Sequence, residues 1–90
     1  MNKAQLVDRI VRQTHQTKGA VEETLNAAFE IIKKSVRKGD DVTLVGFGTF
    51  TQSKRQARAG RNPQTGQEME IPAMTIPRFR AGKEFRELLQ

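Results

Sequence analysis

Leu6, Val7, Ile10 and Val11 recur at helical spacing, and Asn2 ahead of them can cap a helix with Gln5 completing a capping box. The pattern predicts a first helix over Lys3–Gln13. A polar connector, Thr14-His15-Gln16-Thr17, leads to a second stripe of Val21, Leu25, Ala28, Phe29, Ile32 and Val36. That stripe predicts a helix over Lys18–Lys38, with Thr17 as its cap and Gly39 as its C-terminal stop. Lys33, Lys34, Arg37 and Lys38 crowd its last turns. Cations there complement the helix dipole, so this cluster reads as a solvated helix end rather than a ligand site.

Past Asp40-Asp41 the period changes. Val42 and Leu44 alternate with Thr43, and Gly46-Phe47-Gly48 predicts a tight reversal between two strands, with Phe47 and Phe50 as core candidates. A Gly-x-Gly invites comparison with phosphate loops, but the third glycine and the following helix are missing. The strand leaving the reversal continues as Thr51 to Ala59, where alanine is the one apolar side chain. Gly60-Arg61-Asn62-Pro63-Gln64-Thr65-Gly66 then reads as a polar turn, with Pro63 presetting the corner and Gly66 supplying a left-handed closure. The return stretch carries Met69, Ile71, Met74 and Ile76. Pro72 suits an edge strand or a bend where an arm leaves a body, and Pro77 is expected to end the strand region. Glu68 and Glu70 are expected to pair across the ribbon with Arg58 or Lys54, in a register the sequence leaves open. Phe79 is a further core aromatic. A short helix from Lys83 to the end presents Phe85, Leu88 and Leu89.

Charge makes the hairpin more than a loop. The chain has 90 residues and a formal charge of +6, which favours a polyanionic partner. Residues 1–40 mix eight cations with five acids, whereas Val42 to Gln67 holds no acid and carries Lys54, Arg55, Arg58 and Arg61. An extended ribbon with an acid-free outgoing strand and little to bury needs an external partner. The rest of the chain is small for a stable core, so oligomerisation is expected. The absence of cysteine excludes disulfides and thiolate metal sites. With no long apolar run and no signal-like start, a soluble, non-secreted protein is expected, with no membrane partner.

Catalysis is not expected. His15 is the one histidine, it sits in a polar connector, and the carboxylates form no metal-ligand pattern. We therefore expect no enzyme activity, no metal and no cofactor. A two-stranded ribbon can enter a groove of duplex DNA, with arginines drawn to phosphate and a tip proline available as a wedge between base pairs. RNA recognition would call for aromatic side chains on an open sheet, and the phenylalanines sit at core or helix-face positions instead.

Val45-Gly46-Phe47-Gly48-Thr49-Phe50, Gly60 to Gly66, Ile71-Pro72-Ala73 and Pro77-x-Phe79 together resemble the bacterial HU family of histone-like DNA-binding proteins. The similarity extends over the whole chain, from Met1-Asn2-Lys3 through Arg37-Lys38-Gly39-Asp40. Integration host factor subunits are the near neighbour. The resemblance implies an α+β fold: an intertwined dimer with a helical body, a three-stranded antiparallel sheet with an extended β-hairpin arm, and a short C-terminal helix. It implies one domain over 1–90, with a helical dimerisation region at 1–40, a sheet at 41–82 whose arm spans about 52–75, and the last helix at 83–90.

By position, Pro63 would be the intercalating wedge, Arg55, Arg58 and Arg61 would line the arm beside Lys54, and Asn62 and Gln64 would flank the wedge. Lys3, Arg80, Lys83 and Arg86 would touch flanking phosphates, and Phe47, Phe50 and Phe79 would build the dimer core. Arg78 stands where the family commonly has a small uncharged residue, and Ala81-Gly82 where it usually has Pro-Gly. The implied function is to bend, wrap and compact double-stranded DNA, including bent, nicked or gapped DNA, largely without sequence specificity. The alternative is site-specific bending of the integration host factor type. The implied setting is a cytoplasmic, nucleoid-associated homodimer, with a heterodimer with a paralogue also compatible.

Overall fold

A computed structural model describes all residues from Met1 to Gln90. In chain order the elements are α1 (Lys3–Thr14), α2 (Lys18–Arg37), β1 (Val42–Leu44), β2 (Gly48–Arg55), β3 (Arg58–Arg61), β4 (Glu68–Ile71), β5 (Met74–Ala81) and α3 (Lys83–Glu87). The strands form one three-stranded antiparallel sheet, ordered β1-β2-β5, and one two-stranded ribbon, β3-β4. The chain divides into two compact units, Met1–Lys34 and Ser35–Gln90. No helix is long and apolar enough to cross a membrane.

In the first unit the capping box forms as the sequence requires: Asn2 Oδ1 accepts from the Gln5 amide, and Gln5 Oε1 accepts from the Asn2 amide, each at 2.9 Å. α1 stops when His15 turns left-handed at φ 61°, its amide donating to the Val11 carbonyl at 2.8 Å. His15 thus serves as a backbone cap. The Thr17 hydroxyl accepts from the Ala20 amide at 3.2 Å and so caps α2. Val7 and Val21 are the two buried apolar side chains. The Lys3 amine donates to Asn26 Oδ1 and stands 5.8 Å from the ring centroid of Phe29, tying α1 to α2.

The second unit begins with the end of α2. Gly39, at φ 90°, lets its own amide reach the Val36 carbonyl at 3.0 Å and the Asp40 amide reach the Ser35 carbonyl at 2.9 Å. This is the double hydrogen bond of a Schellman stop, and it ends the helix at Arg37, one residue short of the expected limit. The Gln52 amide group on β2 donates to the same Val36 carbonyl at 2.7 Å.

The reversal between β1 and β2 closes with the Phe47 amide donating to Leu44 at 3.0 Å, around Gly46 at φ 84°. Gly48 follows, buried. A β-carbon there would stand 2.6 Å from the Phe79 ring and from the Arg80 carbonyl oxygen. Its bareness lets β5 close over β2, and an aromatic cluster forms around the junction. Ring centroids lie 4.9 Å apart for Phe50–Phe79, 5.1 Å for Phe47–Phe79 and 5.5 Å for Phe47–Phe85. The cluster is open to one side, with Phe47 still 43% and Phe79 40% exposed.

Two expectations are corrected here. Pro77 does not end the strand region: β5 runs through it to Ala81, because β5 is an edge strand and an edge tolerates the missing N–H. The last helix does not reach the end of the chain. It stops at Glu87, and the following amides bond three residues back, Leu89 to Arg86 at 3.2 Å and Gln90 to Glu87 at 3.3 Å.

Candidate nucleic-acid interface

The hairpin is one ribbon with one register. Arg55 pairs with Met74 at the outer end of the three-stranded sheet, and Arg58 pairs with Ile71 at the start of the β3-β4 ribbon. Three residues on in one strand meet three residues back in the other, so no residue is gained or lost between them. Gln56-Ala57 and Pro72-Ala73 interrupt the ladder at this point. Pro72 has no amide to donate, which is a local reason for the ladder to lapse partway along the arm.

Alternation sets where the arm's cations point. Lys54 and Arg55 are neighbours on β2 and so stand on opposite faces, and Arg58 and Arg61 open and close β3 on opposite faces. Each segment therefore offers one cation on each face, and all four are exposed. The expected glutamate pairing is corrected by the register. Glu68 lies opposite Arg61, Glu70 opposite Ala59, and Lys54 opposite Thr75. No ion pair forms within the arm, the ion pairs of the molecule being Lys33–Glu30 and Lys83–Glu87. The arm cations face solvent without an ion-pair partner.

At the tip, Asn62 is the residue that holds the turn. Its amide donates to the Gln67 carbonyl at 2.9 Å, and its carbonyl accepts from the Gly66 amide at 2.8 Å. Its side-chain Oδ1 accepts from the Gln64 amide at 2.9 Å. That last bond is an Asx turn spanning Pro63, and Gly66 at φ 70° completes the corner. Pro63 and Gln64 are exposed at the apex. Asn62, expected to flank the wedge, also shapes the loop through its Oδ1, a role the sequence analysis does not give it. An asparagine directly before a proline in a turn was the available signal.

The remaining candidates are spread over the body. Arg80 lies on β5 opposite Thr49. Lys83 and Arg86 share a face of α3, one turn apart. The Lys83 amine is 3.9 Å from Glu87, an exposed pair too long and too solvated to neutralise it. Lys3 belongs to the first unit, where its amine already has Asn26 and Phe29 as partners. On α2, Glu30 draws Lys33 to 2.7 Å, and the hydrogen bond and charge of Lys33 hold its carboxyl below the usual range. No group of three or more acidic, histidine or cysteine side chains is placed to hold a metal.

The family model for bacterial DNA-binding proteins matches residues 1–90. The HU protein of Nostoc sp. is 52% identical over 87 residues, covering 97% of this chain and 93% of that protein. HU-beta of Escherichia coli is 48% identical over 87 residues, covering 97% of each. Among solved structures, an Anabaena HU–DNA cocrystal structure superposes with a TM-score of 0.92 at 50% identity, covering 99% of this chain and 97% of that one. The chain belongs to the bacterial DNA-binding protein family.

Proposed function

We infer that the chain is a histone-like architectural protein that binds and bends duplex DNA. The carrying observation is the arm: four exposed cations without an internal counter-ion, delivered in one register to a turn that presents Pro63. Relatives that the chain matches over nearly its whole length are HU proteins, and one is described as crystallised with DNA. Those names favour sequence-tolerant binding over the site-specific alternative.

In mechanism, the arms lie in the minor groove, where the narrow groove's potential attracts arginine. Arg55, Arg58 and Arg61, with Lys54, neutralise phosphate along the ribbon. Pro63 enters between base pairs as a rigid apolar wedge, with Asn62 and Gln64 framing it. Unstacking costs a few kcal/mol per step, and bending offsets this by bringing flanking phosphates onto the body. Arg80, Lys83 and Arg86, with Lys3, are the proposed receivers. Nothing in this chemistry calls for a catalytic residue or a cofactor, and a nucleoid-associated protein follows.

The working unit is a homodimer. The single chain exposes 7968 Å², whereas a folded chain of 10.2 kDa is expected to expose about 5,300 Å². The projecting arm accounts for part of the excess. The open aromatic cluster of Phe47 and Phe79, with Leu44 41% and Val45 97% exposed, supports a second copy as the cover for the rest. The division of labour follows: residues 1–40 and the aromatic cluster for assembly, about 52–75 for the arm, 83–90 for phosphate contact.

A gel-shift series with linear, nicked and gapped duplexes of matched sequence tests the function. Tighter binding to the nicked and gapped forms is expected, since they bend at lower cost. Equal affinity for all three, or a preference for single-stranded RNA, would overturn the reading.

A further inference from the structure

We propose that Arg78 is an additional phosphate-binding residue of this chain, extending the cationic surface from the arm onto the outer face of the three-stranded sheet. The proposal rests on the DNA-binding reading above and adds a residue to it.

The register defines the two faces of the sheet. Phe50 opposite Phe79 and Gly48 opposite Ala81 mark the face that carries the aromatic cluster. Thr49 opposite Arg80 and Thr51 opposite Arg78 alternate with them and mark the other face. On β1, Thr43 pairs with Thr49, and their hydroxyls are 3.3 Å apart. The outer face thus consists of short hydroxyl side chains from β1 and β2, with two guanidinium groups rising from β5. Residues two apart on a strand stand roughly 6.6 Å from each other. Thr43, Thr49 and Thr51 are too short to cover either arginine.

Nothing inside the chain uses Arg78. It is exposed. It takes part in neither of the two ion pairs and in no side-chain hydrogen bond, and it stacks on no ring. Thr51, its partner across the ladder, donates its hydroxyl to Asp41 Oδ1 at 2.6 Å, so that carboxylate is already engaged. A guanidinium fork with all donors free, beside Arg80, on the strand that runs into the arm, is a phosphate clamp waiting for its anion. A purely structural role would require a partner, and the chain supplies none.

The test is a salt titration of binding to one labelled linear duplex, by fluorescence anisotropy, for wild type, Arg78→Ala and Arg78→Lys. Each phosphate contact contributes about 0.9 to the slope of log K against log salt. Arg78→Ala should flatten the slope by about that amount per chain and weaken binding most at low salt, with thermal melting unchanged. Arg78→Lys should keep the slope. A wild-type slope and affinity in Arg78→Ala would overturn the proposal. So would equal affinity losses in both variants at an unchanged slope, which would mean packing rather than charge. Failure of the DNA-binding reading itself is distinguishable, because wild type would then show little binding or no salt dependence.

Discussion

Ile71 lies over the backbone of Gly60, its Cδ1 2.8 Å and its Cγ1 3.2 Å from where a β-carbon on residue 60 would stand. The outer ribbon has little else to hold it: of the paired residues in β3 and β4, Gly60 and Ile71 are the two that are half-buried. Gly60→Ala should push the Ile71 side chain off the ribbon and cost on the order of 1 kcal/mol of local order. Hydrogen exchange of the β3 and β4 amides should accelerate while the melting temperature of the body stays put. Adding Ile71→Ala should relieve the clash, so the double variant should be milder than the sum of the two single changes.

Gln52 links the strand that becomes the arm to the end of the long helix, through its 2.7 Å bond to the Val36 carbonyl. Removing it leaves a part-buried carbonyl with one partner fewer, so Gln52→Ala should lower stability by about 0.5–1.5 kcal/mol in denaturant melts. Gln52→Glu should be worse than alanine above the carboxyl's pKa, because a carboxylate cannot donate and faces the negative end of a helix. The deficit of Gln52→Glu relative to alanine should shrink as pH falls and the carboxyl protonates.

Much of the architecture was legible in the sequence, for physical reasons that can be named. Asn2 with Gln5, Thr17 and Gly39 are local signals whose geometry depends on residues within one helical turn, and all of them act as read. The acid-free strand and the Gly60–Gly66 turn were likewise visible, because charge and turn chemistry are written in neighbouring residues. Quantities that depend on distant parts of the chain were not. The pairing of Glu68 with Arg61 needed the register, the passage of β5 through Pro77 needed its edge position, and the free state of Arg78 needed knowledge of every possible partner. The role of Asn62 lay between these cases. Its Asx turn is local, but that Oδ1 is the atom the loop uses is read only from the hydrogen bonds.

Asn62 should therefore act on bending through the loop. Asn62→Ala removes the acceptor for the Gln64 amide but leaves both backbone bonds to Gln67 and Gly66 available. Asn62→Ser keeps a short acceptor at the same position. The alanine variant should bend DNA less than wild type while retaining most of its affinity, and serine should restore part of the bend. Equal bending by all three proteins would return Asn62 to the role of a bystander.

Pro63 carries the central proposal, and end-to-end fluorescence transfer on a doubly labelled duplex addresses it directly. At saturating protein, wild type should bring the duplex ends closer together. Pro63→Ala should bind within a few-fold of wild type, because the arm cations are unchanged, yet leave the ends markedly further apart, because two wedges per dimer are lost. Equal transfer efficiency for the two proteins at saturation would contradict the wedge and leave Pro63 as a turn former.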